Sequence, residues 1–475
     1  MRSPGAVLLV SCYELGHQPL GLAEPLAILR AAGYAPAAVD TAVEPLPDTA
    51  VVAARLVAIS VPMHTALRLG VAVARRVRAL NPAARVVCYG LYAALNARYL
   101  LREAADAVLG GEVEPALLAL VRALEDGRWV TDSPDDPIPG VTTRAVVSPP
   151  ALTRAPFAVP ARDTLPPLDR YARLRRGDEA LLAGYVEATR GCLHTCRHCP
   201  ITPVYGGRFF AVPRAIVLDD IRQQVRAGAR HITFGDPDFL NGPTHSLRIT
   251  RALHAEFPDV TFDATIKVEH ILEHRALFPE LRDLGCAFIV SAVESLSDTV
   301  LSRLDKGHTR ADVAVALDIL RAAAIPLRPT LVAFTPWTTL DDYLDVLDFV
   351  AAHGLIDQVD PIQYAIRLLV PPGSALLDLP DAPAWRGALD DANFTYRWDH
   401  PDPRMDQLYH HVSAAVEAGR AAGADSSATF AAVRGLALSA AGRPVPTVPD
   451  TTETDRELVL AARRPVPHLT ESWFC

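Results

Sequence analysis

Short apolar runs alternate with helical patterns in two separate blocks of this chain, and that alternation constrains its fold more than any other feature. In the first block the apolar runs are 6–12, 56–62, 85–89 and 106–110, with 37–39 a shorter one. Between them, 19–32, 65–80 and 113–124 carry apolar residues at helical spacing. The pattern predicts a parallel sheet with helices on both faces. Such a sheet binds ligands at the carboxyl ends of its strands. Nine prolines then fall between Pro134 and Pro167, so residues 127–182 read as a linker carrying one hairpin at 139–148.

Alternation resumes near Tyr185. Strands are predicted at 185–190, 231–234, 260–266, 287–293, 326–334 and 358–366. Helices are predicted at 213–227, 245–257, 269–284, 297–304 with 310–324, and 340–353. Six βα units over 183–374 predict a (β/α)6 partial barrel that works at its strand carboxyl ends. Residues 375–475 show no strand pattern, and 404–422 and 427–441 read as helices. The expected organisation is an α/β domain at 1–126, the linker, the barrel, and a helical C-terminal region.

A formal charge of −9 argues against a nucleic-acid surface as the main business. No run of about 18 apolar residues suggests a membrane span. Residues 1–10 lead straight into an apparent strand rather than a signal peptide, so a cytoplasmic location is expected. Seven cysteines are present, and three of them, Cys192, Cys196 and Cys199, fall within eight residues. An odd, clustered set fits a metal site better than a disulfide framework. The spacing C-x3-C-x2-C, in Thr189-Arg190-Gly191-Cys192-Leu193-His194-Thr195-Cys196-Arg197-His198-Cys199-Pro200, suits three irons of a [4Fe–4S] cluster. The fourth iron would stay open to a small molecule. The competing reading is a structural zinc with His194 or His198 as fourth ligand.

This segment resembles the signature of the radical S-adenosylmethionine (SAM) superfamily. The resemblance implies that SAM chelates the open iron and is cleaved reductively to a 5′-deoxyadenosyl radical. An electron donor such as flavodoxin or ferredoxin is the implied partner. His198 stands where the family usually has an aromatic residue against adenine. Phe234-Gly235-Asp236-Pro237-Asp238-Phe239 resembles the F-x-D-D-x-F stretch of cobalamin-type members, implying Asp236 first and Asp238 second as SAM contacts. Ser291-Ala292-Val293-Glu294-Ser295 with Lys306-Gly307 resembles their G-V-E-S…K-G pattern, implying a SAM contact for Glu294. Arg328, on the fifth strand, suits a carboxylate. His270-Ile271-Leu272-Glu273-His274 fits the H-x-x-E-H zinc pattern. It is expected on a barrel helix facing solvent, where loss of both histidines leaves metal content unchanged.

Pro19-Leu20-Gly21-Leu22-Ala23 resembles the start of the cobalamin-binding domain that precedes many radical SAM barrels. Residues 56–60 and Gly110-Gly111-Glu112 resemble later landmarks of it. Cobalamin is the implied second cofactor, with Pro19, Leu20, Ser60, Gly111 and Glu112 as its contacts. The D-x-H-x-x-G motif is absent. The last residues, Leu469 to Cys475, resemble a subgroup whose chains end Cys-Cys-Ala-Glu-Pro or Cys-selenocysteine-Ala-Glu-Pro. This implies continuation past a UGA codon and makes Cys475 a candidate redox residue; a TAA or TAG codon there ends the idea. The implied function is radical methylation or a related modification of an unknown substrate. The alternatives are methylthiotransferase-like tRNA modification, which needs further cluster cysteines that Cys12 and Cys88 do not supply, and a non-enzymatic iron–sulfur electron carrier.

Overall fold

A computed structural model describes residues 1–129, 137–153, 156–445 and 466–471. The first sheet contains β1 (Val7–Ser11), β2 (Ala37–Asp40), β3 (Leu56–Ser60), β4 (Arg85–Tyr89), β5 (Ala107–Leu109) and β6 (Val141–Thr142). Its order is β2-β1-β3-β4-β5-β6, parallel throughout except for β6. This is a doubly wound sheet. The strands read as unbroken apolar runs because both faces are covered. Leu8, Val10, Val57 and Ile59 enter one core with the helix His64–Leu80, while Val7, Leu9, Leu56 and Ala58 enter the other with Leu20–Ala31 and Val113–Glu125. β6 brings the expected hairpin region to the edge of this sheet, and Gly111 bridges to Ala151.

The second sheet is built from β7 (Arg173–Arg176), β8 (Glu179–Val186), β11 (His231–Phe234), β12 (Thr261–Thr265), β13 (Cys286–Glu294) and β14 (Leu327–Leu331), numbered along the chain around a small ribbon of β9 (Thr189–Gly191) and β10 (Phe209–Ala211). Five strands, β8, β11, β12, β13 and β14, run parallel and form the curled partial barrel that the sequence predicts. Two details differ. The first barrel strand ends at Val186, not Arg190, and the cysteine segment leaves from β9 instead. Gly191, at φ +76°, allows the close ribbon, since a Cβ there would meet Arg208 O. The expected sixth strand at 358–366 is a 3-10 turn, Pro361–Ala365. Pro361 removes a ladder donor, and the Asp360 carboxylate accepts from Ile362 N and winds the chain. A single Phe334–Arg367 bridge occupies that edge.

Helices cover the convex side of the barrel. Thr309 and Thr339 each open one with a complete capping box, to Asp312 and Asp342. The C-terminal region contains the helices Pro403–Ala422 and Ser426–Ala440, within a residue of expectation. It also holds a hairpin, β15 (Arg386–Asp390) with β16 (Thr395–Trp398), which corrects the expectation of no strand. Most of β15 is exposed, so it lacks the apolar alternation that marks a strand. Finally β17 (His468–Leu469) pairs with β7 and extends the barrel sheet. Cys475 lies outside the described residues. Among the described residues no helix is long and apolar enough to cross a membrane.

Candidate active site

The cysteine segment is clamped from both sides. Asn241 Oδ1 accepts from Leu193 N at 3.1 Å, and Asn241 Nδ2 donates to Gly191 O at 3.4 Å. Thr202 Oγ1 donates to Cys196 O at 2.9 Å, Arg197 N donates to Leu304 O at 2.9 Å, and Ser374 Oγ donates to Arg197 O at 3.2 Å. These bonds fix the loop independently of any ligand. Cys192 and Cys196 are buried, Cys199 partly so, and all three are free thiols. Burial pushes the Cys192 thiol up to about 12 and that of Cys199 up to about 11, with neighbouring thiols adding to both. Bound metal reverses this by taking the thiolate outright. Three free thiols on one anchored loop, each near enough for its charge to act on another, are a donor set that fits an iron–sulfur cluster.

Glu294 stands beside them. It ends β13 at a bulge, with φ +63°, an uncommon conformation for a non-glycine residue. Its Oε1 meets His198 Nε2 at 3.2 Å and accepts from Lys306 Nζ at 3.2 Å. Burial raises its pKa, but Lys306 and His198 outweigh that and hold it at about 2. The charge of Lys306 also reaches Cys196 and Cys199. The structure thus joins Glu294 to the cysteine loop through His198, itself a loop residue, so that two of the expected SAM contacts meet beside Lys306.

The other expected contacts differ in what they do. Asp236 is 2% exposed and accepts from Ala188 N at 2.9 Å and Thr189 Oγ1 at 2.6 Å. Its carboxylate anchors the base of the loop rather than facing open space. Asp238 accepts from Leu240 N and turns its other oxygen to His270 and His194. Arg328 lies beside Val290 on the concave side of the barrel, in no ion pair among the described residues. Burial lowers its pKa, while Asp360 and Asp263 oppose the shift. His194 Nε2 lies 3.6 Å from Asp238 and His198 Nε2 3.2 Å from Glu294, so both imidazoles of the competing zinc reading have carboxylate neighbours. His270 is buried, against the expectation that its helix faces solvent. That helix, Val268–Glu273, is a short turn pressed against the barrel mouth.

The five expected cobalamin contacts gather around two carboxylates, the half-buried Glu14 and the buried Glu112. Glu14 accepts from Leu20 N at 2.8 Å and Gly21 N at 3.2 Å, and Ser60 packs against Gly21. Burial pushes Glu14 up to about 8. Pro19, Leu20 and Ser60 lie buried behind Glu14, which itself lines a cavity of about 590 Å³ at the carboxyl ends of β1 and β2. Tyr13, His17, Thr41 and the tail residue Glu471 complete its wall. Gly111 is packed against Ala151, and Glu112 accepts from Arg190 and from Tyr205 OH, so neither reaches this cavity. Sequence reading missed Glu14, His17 and Asn241, whose roles have no local signature.

His17 links the two sheets by stacking on Tyr185 of β8, with ring centroids 4.4 Å apart. Burial pushes its pKa down to about 4. The unfolded chain binds the proton first, so His17 lends stability near pH 7 that is lost as pH falls from about 6.5 toward 4. The shift corresponds to roughly 3 kcal/mol. His17→Gln is therefore expected to flatten the fall in denaturation midpoint between pH 7 and pH 4.5. Equal slopes in variant and wild type refute this assignment.

Comparison with known proteins agrees with this geometry. Residues 186–350 match the Radical SAM superfamily. The tRNA-2-methylthio-N(6)-dimethylallyladenosine synthase of Desulfosudis oleivorans is 28% identical over 229 residues, 46% of each chain. The ribosomal protein uS12 methylthiotransferase RimO of the same organism is 28% identical over 208 residues, 40% of this chain and 46% of the other. The chain thus spans about half the length of these curated relatives. Among solved structures, the cobalamin-dependent S-adenosylmethionine radical enzyme OxsB with aqua-cobalamin bound superimposes with a TM-score of 0.68 at 15% identity, covering 87% of this chain and 67% of that one. The radical S-adenosylmethionine methyltransferase TsrM from Kitasatospora setae, with tryptophan and a SAM analogue bound, gives 0.63 at 16%, covering 87% and 89%. At these identities the superpositions establish the fold. Residues 186–350 are a radical SAM domain, an enzyme domain whose cofactors are a [4Fe–4S] cluster and SAM.

Proposed function

We propose that the whole chain is a radical SAM enzyme that also uses cobalamin, for methylation or another radical modification of its substrate. The observation that carries this is the arrangement of Cys192, Cys196 and Cys199 as three free thiols whose two neighbouring imidazoles are committed to carboxylates. Three protein ligands on a four-iron cluster leave one iron for SAM. The bound cofactors supply the hard chemistry, reduction of SAM to methionine and a 5′-deoxyadenosyl radical and carriage of a methyl group. The chain supplies position and charge. Glu294, kept ionised by Lys306 and His198, is an acceptor for the polar groups of SAM. Arg328 offers a half-buried guanidinium to a carboxylate.

Support for cobalamin comes from position and lining. The cavity lies at the strand carboxyl ends of a doubly wound sheet, where such sheets take ligands, and His17 ties its wall to the barrel. Glu14, with its raised pKa, is able to donate or accept there. Protein from cobalamin-fed cells is expected to carry about one corrinoid per chain by its visible absorption. Protein that stays colourless in that region after cluster removal would overturn the cobalamin half of the proposal.

The curated relatives favour a second reading, methylthiotransferase-like modification of tRNA or a ribosomal protein. Cys12 and Cys88 are core residues, and they are the only cysteines among the described residues of 1–129. Sulfur insertion into RNA or protein by the reconstituted enzyme would favour this reading over methylation.

A further inference from the structure

Three side chains converge beside the cysteine loop without the contacts that buried polar groups normally make. Asp238, just beyond β11, is fully buried, and its Oδ1 is fixed by Leu240 N. Its Oδ2 lies 2.8 Å from His270 Nδ1 and 3.6 Å from His194 Nε2. All three ligand atoms fall within 4.8 Å of one another. None of the three makes a hydrogen bond of proper geometry, although Asp238 and His270 are more than nine-tenths buried. Buried polar atoms that converge and stay unsatisfied call for an explanation, and an ion supplies one.

We propose that His194, Asp238 and His270 form a site for one divalent first-row transition ion, Zn(II) or Fe(II), at the barrel mouth and separate from the thiols. Two imidazoles and a carboxylate are a known donor set for such ions, and three protein ligands leave a position open. His194 retains 17% side-chain exposure, so the open position faces the mouth rather than the core. His194 Nδ1 lies 3.5 Å from Glu269 Oε2, and Glu269 in turn accepts from Lys267 Nζ at 3.0 Å. A metal-bound histidine usually gives its other ring N–H to a carboxylate, which holds the ring in place. Glu269 is the positioning residue here, and Lys267 is neutralised by it. Asp238 and His270 come from the ends of successive barrel strands, and His194 from the cysteine loop, so the ion sits on the working face. Its open position suits water or an oxygen or nitrogen donor of a substrate. The site stands independently of the function proposed above.

The test uses the full chain with its cluster reconstituted anaerobically, incubated with zinc chloride, desalted, and assayed for zinc and iron separately. Wild type is expected to hold about one zinc per chain besides the cluster iron. His270→Ala and His194→Ala are expected to hold less than about a tenth of that, with unchanged far-UV circular dichroism and cluster absorption. Glu269→Gln, a half-exposed position that puts folding at little risk, is expected to weaken zinc about 10- to 100-fold by titration calorimetry. Cys192→Ala/Cys196→Ala/Cys199→Ala should lose iron and keep the zinc. A wild type without zinc, zinc unchanged by both histidine variants, or zinc lost with the thiols would each overturn the site. Loss of iron chemistry alone would fall on the radical SAM reading instead.

Discussion

Cys196→Ala is expected to abolish production of 5′-deoxyadenosine, by about a thousandfold or more, which corresponds to at least ~4 kcal/mol in the barrier. The loop keeps its shape in this variant, because its anchors are main-chain and lie elsewhere. Thr202 holds the Cys196 carbonyl, not its thiol, and Asn241 and Ser374 hold the two flanks. What disappears is one of three iron ligands, and two thiolates cannot retain a cube with a defined open iron. The measurement is anaerobic reconstitution, reduction with dithionite in the presence of SAM, and quantification of the nucleoside. Wild type should form it and the variant should not. Iron bound without SAM cleavage in wild type would favour the electron-carrier reading. Zinc without iron in anaerobically purified protein would refute the cluster altogether.

Arg190→Met is expected to be among the most destabilising single changes in the chain. Arg190 sits on β9, two residues before Cys192, and is almost fully buried. Its guanidinium pairs with Glu24, with Glu112 and Glu114 at 3.0 Å each, and with Glu187 at 3.4 Å. Burial pushes Glu24, Glu187 and Glu112 upward, and Arg190 is the cation that opposes it. Removing the cation leaves a cluster of largely buried acids with no positive charge among them, and among the described residues only Glu112 keeps a hydrogen bond, from Tyr205 OH. Breaking a single buried pair costs about 3–5 kcal/mol, and here four carboxylates share one arginine. Glu24, Glu112 and Glu114 belong to the first domain, so the same change loosens its docking against the cysteine loop. The expected signs are a lower unfolding midpoint and faster proteolysis between the two sheets. Because the stranded carboxyls are stabilised by protonation, the variant should recover part of the loss as pH falls. A midpoint within about 0.5 kcal/mol of wild type would refute this account.

The local order of the chain determined a good deal. Strand–helix alternation is set by side-chain periodicity, which depends only on near neighbours, and both sheets follow from it. The three cysteines stood out by their close spacing, and Glu294 and Lys306 by their resemblance to a family pattern. Where local signals were weak the reading failed. The stretch 358–366 has strand composition, yet Pro361 and the Asp360 cap turn it into a 3-10 helix. The exposed strand β15 carries no apolar alternation to detect.

Tertiary structure decided which acids face the site and which hold it up. Asp236 and Asp238 are two residues apart in sequence, but one is held by the backbone at Ala188, while the other turns an oxygen toward His270 and His194. His194 and His270 are far apart along the chain and meet only because the cysteine loop folds over the end of β12. Arg190 looks like an ordinary loop arginine until the first domain brings three glutamates against it. The sequence by itself determined most of the elements and singled out the three cysteines, since those depend on periodicity and short spacing. Burial, charge pairing and the juxtaposition of distant side chains depend on how the two sheets pack, and no local pattern encodes them.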